Sequence, residues 1–493
     1  MNLINSITDT KNATEAINNL IYQFENSELR KKMVDGYNYY RSENTAINDR
    51  QMLVYVQDEN GNPVEMEDPY KANNQLASGF MRTLIDQKIN YSLGKKITLD
   101  VDNEKLFYET VGKDFQVYLK RLGKEASIKG IGWLHVYMKT DGTLGLTIVP
   151  SEQIIPIYKT YDSKELDLII RYYNFSKITQ KGTYEIVTRV EVWDSQQATY
   201  YERSDESGFY YLLTDEQMFD TFGECQPNPK YHFQRAFIYG DSVASSEGVP
   251  WGKVPFIPLY NNDESDYDLQ SVKTYVDAYD IVNSDFINNL VDFQDIYWIL
   301  KGYDGENLLE FLTQVKRYKT LKVSESGDAR AEKLDVPYEA RKEAKESLEK
   351  DIYAFGMGFN PNQIGDGNIT NIVIQSRYTQ LDLKADAFEE QVDIFVGKFL
   401  YFINTFLQLH SKPLLIIDAI TYNRSMMMNE AELLKSNAEQ KGVISEQTRL
   451  KNHIWVDNVD EEITMMEDEI QTPDLSDTSD LENNNEVVND EQL

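Results

Sequence analysis

Cysteine is almost absent: Cys225 stands alone in 493 residues. No internal disulfide framework is available, so the cores must hold by packing, which fits a reducing compartment. A lone thiol of this kind reads as an ordinary, partly buried side chain sooner than as a reactive one. Histidine is scarce too. His135, His232, His410 and His453 lie far apart, with no His-Glu-x-x-His and no Cys pair, which excludes the usual zinc spacings. Positive charge is in short supply, with 49 Lys+Arg against 82 Asp+Glu and a net charge of −33. Such a surface repels phosphate at long range and argues against tight clamping of nucleic acid. It permits a nucleic acid that is confined by geometry and slides without sticking.

Long apolar runs are also missing. None approaches the roughly 20 uninterrupted residues of a membrane span; the run at 395–407 comes nearest and is broken by Lys398 and Asn404. The first residues lack the basic start and apolar core of a signal peptide. The expectation is a soluble protein that meets no membrane. The phosphate loop Gly-x-x-x-x-Gly-Lys-Ser/Thr is absent as well, so the sequence offers no nucleotide-driven motor. No nucleophile with a partnered base stands out. The chain is expected to be no enzyme and to carry no cofactor or metal.

What is plentiful is material for cores. A hydrophobic share of 41% with 33 Tyr and 21 Phe suits about three or four lobes at this length. The spacing predicts a helix over 13–35, with Ile17, Leu20, Ile21 and Phe24 on one side, and further helices over about 70–93 and 103–122. Asn60-Gly61 signals a hairpin after the strand-like run 52–57. From residue 131 the period becomes two. Runs 131–138 and 144–149 form a hairpin about Thr140-Asp-Gly-Thr143, and strands follow at 154–158, 168–173, 184–193, 199–202 and 233–239. Residues 1–262 therefore read as an α+β lobe, helical first and sheet-rich afterwards.

The second half differs. One helix about 45 Å long is expected over 269–300. Val272, Tyr275, Tyr279, Val282 and Phe286 share its apolar face, while Asp277, Asp280, Ser284, Asn288, Asp292 and Asp295 fall opposite. A solvated face is the plain reading of that stripe. The others are an acidic wall along a passage, or a surface buried between subunits with Lys273 and Lys301 as partners. Residues 301–336 read as a small α/β insertion with strands at 320–323 and 333–336 and a basic patch of Lys316, Arg317, Lys319 and Lys322. A helix over 338–355 follows, opened by Pro337 and ended by Gly356. The loop 356–371 then holds four glycines and four asparagines with no lysine or arginine. Over 375–409, Tyr378, Leu381, Ala385, Phe388, Val392, Phe395, Phe399, Phe402 and Phe406 recur at threes and fours, a seam that demands a facing helix from the same chain or a neighbour. A strand-like run at 414–418 and short helices, one capped by Asn429, occupy 412–470. From 471 to 493 an acidic tail with few apolar residues should be disordered.

Taken in order, several segments resemble the portal proteins of tailed bacteriophages, in particular the SPP1-like family. They are Gly36-Tyr-Asn-Tyr-Tyr-Arg41, Asn73-Asn-Gln-Leu-Ala-Ser-Gly-Phe80, Asp86-Gln-Lys-Ile-Asn-Tyr-Ser-Leu-Gly94 and Val254-Pro-Phe-Ile-Pro-Leu-Tyr-Asn-Asn262. Val276-Asp-Ala-Tyr-Asp-Ile-Val-Asn-Ser-Asp285, Phe293-Gln-Asp-Ile-Tyr-Trp-Ile-Leu-Lys-Gly302 and Asn423-Arg-Ser-Met-Met-Met-Asn-Glu430 continue the series. The resemblance implies a multi-lobed α+β portal fold and a homo-oligomeric ring of about twelve copies at one capsid vertex. Double-stranded DNA would be packaged through the ring and later ejected. In that frame 1–262 is the wing, 263–300 and 337–355 the stem, 301–336 the clip, 356–373 the tunnel loop, 374–411 the long bridging helix and 412–470 the crown. The stem stripe would be an acidic channel or interface face. Asn360, Asn362, Gln363, Asn368 and Asn371 would touch the DNA backbone weakly, with flanking glycines letting the loop shift, and the basic patch at 316–322 would dock head-completion or adaptor proteins. Implied partners are a terminase, which supplies the ATPase, and the major capsid and scaffolding proteins. The implied location is the virion, after assembly in the host bacterial cytoplasm. Three rival readings remain: another connector or adaptor ring of a head–tail junction, metal-dependent hydrolysis at Asp263-Glu-Ser-Asp-Tyr-Asp268, and a helical scaffold pairing two chains.

Overall fold

The computed structural model describes residues 13–57, 61–68, 71–160, 164–178, 183–204, 211–213, 227–239, 242–292, 297–301, 328–332, 338–363, 370–426, 428–451, 453, 455–456 and 458–471. Lys316, Arg317, Lys319, Lys322, Asp295, Asn368, the strands expected at 320–323 and 333–336, and the tail beyond 471 lie outside the described residues.

Helix and sheet are mixed along the chain. The helix expected over 13–35 is two, α1 (Ala13–Glu25) and α2 (Glu28–Tyr40). Ser27 divides them, because its hydroxyl accepts the Arg30 N–H at 3.2 Å and so caps α2. After the short α3 (Thr45–Asn48), the stretch expected to be helical over 70–93 is so only in α4 (Phe80–Leu93). The segment 72–79 before it has other work, described below. The 103–122 helix likewise breaks at Gly112, whose φ of 93° favours glycine, into α5 (Glu104–Val111) and α6 (Phe115–Lys129).

Strand Ile131–Met138 lies at the centre of a three-stranded antiparallel sheet, between Phe256–Tyr260 and Leu144–Val149. Its two faces serve two cores. Leu134, Val136, Leu146, Ile257 and Leu259 join a core with α4, α5 and α6. Trp133, Val149, Phe256 and Tyr260 turn the other way, to a core shared with α1 and a larger sheet. A strand buried on both sides needs no polar alternation, which accounts for the run Ile-Gly-Trp-Leu-His-Val. His135 belongs to this packing. Burial lowers its pKa to about 3, and its Nδ1–H donates to the Pro255 carbonyl at 3.0 Å. The larger sheet takes its strands in sequence, Ile154–Tyr158, Leu166–Ile178, Tyr184–Trp193, Gln197–Ser204 and Tyr211–Leu212, all antiparallel. Two hairpins stand apart from both sheets, Leu53–Gln57 with Pro63–Glu67 and Phe233–Tyr239 with Ser242–Val249.

The helix expected over 269–300 is shorter than its pattern suggested: α7 covers Lys273–Asp292. Tyr297–Lys301 is instead a strand, paired antiparallel with Asp328–Glu332. Tyr-Trp-Ile-Leu suits a strand as well as a helix, and the available partner strand decides. Helix α8 (Tyr338–Phe355) has the expected bounds, and α9 (Asn371–Leu409) begins earlier than expected. The α9 seam finds its partners within its own chain. Phe399 stacks on Phe115 of α6 with centroids 5.6 Å apart, and Phe402 meets Trp251 edge-on at 5.8 Å. Gly123 of α6 leaves room for Phe388; a Cβ there would sit 2.8 Å from the ring. Among the described residues α9 alone is long and apolar enough to cross a membrane, yet Phe388, Phe395, Phe399 and Phe402 are buried in this core. Ile417–Thr421 pairs with Thr98–Val101. The short helices α10 (Glu430–Glu439), α11 (Glu446–Lys451) and α12 (Val459–Gln471) follow, the first capped by Asn429 as its sequence predicts. Two compact units result, Met1–Pro361 with Gln380–Ser425, and Asn362–Thr379 with Met426–Leu493.

Candidate channel and docking surfaces

The polar stripe of α7 is covered by the chain's own segment 74–78. Ser78 N–H donates to Asp280 Oδ1 at 2.9 Å, Leu76 N–H to Ser284 Oγ at 3.0 Å, and Asn74 N–H to Asn288 Oδ1 at 2.7 Å. This segment is in neither helix nor sheet, so its amides need side-chain acceptors. Pitch explains the match. Two extended residues advance about 6.6 Å and four helical residues about 6 Å, so alternate amides meet every fourth side chain of the helix. The ladder runs antiparallel to α7. Asn44 Nδ2 adds a bond of 2.5 Å to Asp280 Oδ2, so both carboxylate oxygens are engaged.

Asp280 is 1% exposed and Asn288 4%. Burial raises the Asp280 pKa, against the pull of its Asn44 and Ser78 partners. The reading of these two as a channel or intersubunit face is therefore corrected: the sequence shows a polar stripe but not what lies over it. Asp277 is half-open and locally answered, accepting from Tyr39 OH at 2.5 Å and lying 3.4 Å from Lys273. Asp292 ends α7.

The first half of the glycine-rich loop is anchored. Gly358 N–H reaches back to Tyr353 O at 2.9 Å, with Met357 at φ 53°, which closes α8 in the manner of a Schellman turn. Glycine is required on both sides of that methionine. A Cβ at Gly356 or Gly358 would meet a methyl of Leu84 at 2.7 or 2.2 Å. Here the glycines permit close packing, which corrects their reading as hinges. Gln87 then clasps Phe359, donating to its carbonyl at 2.8 Å and accepting its N–H at 3.1 Å.

Of the five residues singled out for DNA, Asn360 is buried. Asn362 is exposed in the short turn Pro361–Gln363, which also contains Gln363. Asn371 starts α9 and is held by its neighbours. Its Nδ2 donates to Asn429 O at 3.3 Å, its Oδ1 accepts Asn429 N–H at 2.7 Å, and its own N–H donates to Glu432 Oε2 at 2.7 Å. The loop residues are thus not one equivalent set: Asn360 is buried, Asn371 is held by Asn429 and Glu432, and Asn362 is exposed.

The acidic group at 263–268 serves packing too. Asp268, fully buried, lies 2.9 Å from Lys88 Nζ of α4 and 3.1 Å from Lys384 Nζ of α9. Asn261 Nδ2 donates to its Oδ1 at 2.7 Å, and Lys384 also donates to Gly356 O at 2.8 Å. One carboxylate thus joins α4, the root of α7, α9 and the end of α8. Burial alone would raise the Asp268 pKa, but Lys384 and then Lys88 hold it down at about 2. Burial lowers the Lys88 pKa to about 8, with Asp268 pulling against the fall and the second ammonium, Lys384, adding to it. Asp263 accepts from Gln391 and Asp266 N–H bonds Asn262. Among the described residues no three His, Cys, Asp or Glu converge as metal ligands.

Sequence reasoning missed Arg424, which reaches Asp382 at 2.9 Å, Glu389 at 2.8 Å and also Asp386 on one face of α9. The signal was available: those acids sit at helical spacing, and Arg424 lies in a quoted segment. The segments that carried the resemblance build these networks. Asn73–Phe80 supplies the ladder amides, 86–94 supplies Lys88, 254–262 supplies Asn261, and 276–285 supplies Asp280 and Ser284.

Comparison with known proteins agrees with this ordered set. Residues 20–474 match the family model described as phage portal protein, SPP1 Gp6-like. The portal protein of Bacillus phage SPP1 is 27% identical over 474 residues, covering 94% of this chain and 88% of that protein. The portal protein of Clostridium phage phiCD119 is 29% identical over 469 residues, covering 91% and 95%. On the strength of a match that spans both cores, the α7 ladder and the Asp268 cluster, the chain belongs to the SPP1 Gp6-like family of phage portal proteins.

Proposed function

We propose that this chain assembles with about eleven further copies of itself into a closed ring at one capsid vertex, and that double-stranded DNA is packaged and later ejected through it. The family match over residues 20–474 carries the reading. A net charge of −33 supports it, because a carboxylate-rich ring guides a polyanion without the counterion release that makes a lysine-lined bore adhesive. The role is structural. The sequence has no phosphate loop, so the work of packaging falls to a separate terminase docking on the ring.

In this reading 1–262 forms the wing, α7 and α8 the stem, 301–336 the clip, 356–373 the tunnel loop, the following helix to 411 the bridge and 412–470 the crown. Asn362 and Gln363 make weak, exchangeable contacts with the DNA backbone. Lys316, Arg317, Lys319 and Lys322 give the clip a basic surface for head-completion proteins, and the ring also meets major capsid and scaffolding proteins. The purified full-length chain tests the assembly directly. Native mass measurement with negative-stain images should give a ring with a central hole. A compact particle of one or two copies would overturn the reading.

A further inference from the structure

The Leu53–Gln57/Pro63–Glu67 hairpin stands off from its own chain. Leu53 and Tyr55 on one face are 51% and 71% exposed, and Val64 and Met66 on the other are 47% and 49% exposed. A two-stranded hairpin is at best marginally stable in water without a covering surface. The register places Leu53 opposite Glu67 and Tyr55 opposite Glu65, so two apolar and two acidic side chains share a face. The Tyr55 hydroxyl donates to Glu65 at 2.5 Å, which fixes that rung. Residues 51–70 contain five carboxylates and no lysine or arginine.

The opposite chemistry occurs on α6. Val117 is 47% exposed, with Lys120 and Arg121 one turn on and exposed Lys113 just before the helix. No described partner engages Lys113, Lys120 or Arg121, although Lys124 of the same helix is paired with Asp86 at 2.7 Å. In a chain this acidic, three such cations around an exposed apolar side chain make a local basic face. A second cationic spot is already engaged by its own surroundings: Lys164 donates to Asp263 O, and Lys253 and Lys398 lie over the rings of Tyr401 and Tyr260.

We infer that the Leu53–Glu67 hairpin of one copy docks on the α6 face of a second copy of this chain, Leu53 and Tyr55 against Val117 and Glu65 and Glu67 against Lys120 and Arg121. The pitch fits. Successive hairpin rungs are about 6.6 Å apart and Val117 and Arg121 about 6 Å, the same match that seats 74–78 on α7. Polar rim pairs of this kind set register and partner choice while the apolar centre contributes affinity. The inference rests on the ring reading above.

The test is charge reversal with rescue, read as the fraction of rings by native mass measurement at fixed protein concentration. Glu65→Lys with Glu67→Lys should lower that fraction about tenfold, as should Lys120→Glu with Arg121→Glu; mixing the two variants, or combining them in one chain, should restore it. All four positions are on the surface, and unchanged thermal unfolding of the monomer confirms that folding is intact. Rings that survive both reversals, or losses that the combination does not repair, overturn the docking while leaving the ring reading intact. A wild-type chain that forms no ring removes the ring reading itself.

Discussion

Two helix faces of this chain carry polar side chains in opposite surroundings. On α7, Asp280, Ser284 and Asn288 form a polar stripe that is sealed under 74–78, with each acceptor answered by an amide. On α6, exposed Val117 and Arg121 flank half-buried Lys120, and neither cation has a partner among the described residues. Polarity along a helix therefore does not indicate exposure. What separates the faces is whether the rest of the chain supplies matching groups at matching pitch. An answered stripe builds the monomer; an unanswered one remains available to another molecule.

The strongest way to break the answered side is Asp268→Asn. The substitution leaves buried Lys88 and half-buried Lys384 around a neutral group, and loss of one partner from a buried ionic cluster costs about 3–5 kcal/mol. Denaturant unfolding should register that loss. Its pH dependence has a definite sign. The folded pKa of Asp268 lies at about 2, below the ordinary 3.8, so its contribution is complete above that value and fades as pH falls toward 2. Wild type and variant should converge there; a constant gap down to pH 2 would remove the electrostatic account.

Asp280→Ala comes next, at about 2–3 kcal/mol, because it strands the Ser78 N–H and the Asn44 amide away from water. Asp280→Asn should cost clearly less. It keeps an acceptor for Ser78, and Asn44 can turn its own unpartnered Oδ1 toward the new amide. Burial raises the pKa of Asp280, so this carboxylate, unlike Asp268, is relieved as pH falls through its raised value. Equal losses for Ala and Asn in thermal unfolding would show that the ladder adds nothing beyond charge.

The elements most legible in the sequence are those with local causes. The hairpin at 131–149 follows from its turn, α8 from Pro337 and Gly356, and the cap of α10 from Asn429, whose side chain accepts the Glu432 N–H. The family was legible from an ordered series of segments. Less legible was anything fixed by a distant partner. The strand at Tyr297–Lys301 depends on Asp328–Glu332, and the burial of Asp280 depends on Asn44 and Ser78. Two breaks had signals that periodicity outvoted: Ser27 as a cap and Gly112 with positive φ. Gly356 and Gly358 misled for a physical reason. A sequence cannot distinguish glycine that bends from glycine that admits Leu84, and at Gly356 and Gly358 the close approach decides.

The smallest effect on stability, and the sharpest on the open side of the comparison, belongs to the turn Pro361–Gln363. Asn362 is exposed in the turn Pro361–Gln363, so Asn362→Lys with Gln363→Lys should change unfolding stability by no more than about 0.5 kcal/mol. Rings should still assemble. If these residues touch passing DNA, each added cation neutralises a phosphate and releases counterions, so the bound state deepens and movement slows. DNA packaged per unit time by rings supplied with terminase should then fall, more steeply at low salt than at high salt. Asn362→Asp is the control of sign, since it adds charge at the same position without adding affinity for phosphate. A lysine variant that packages at the wild-type rate at every salt concentration would remove Asn362 and Gln363 from the DNA path. An aspartate variant slowed as much as the lysine one would mean that this turn acts by shape and not by charge.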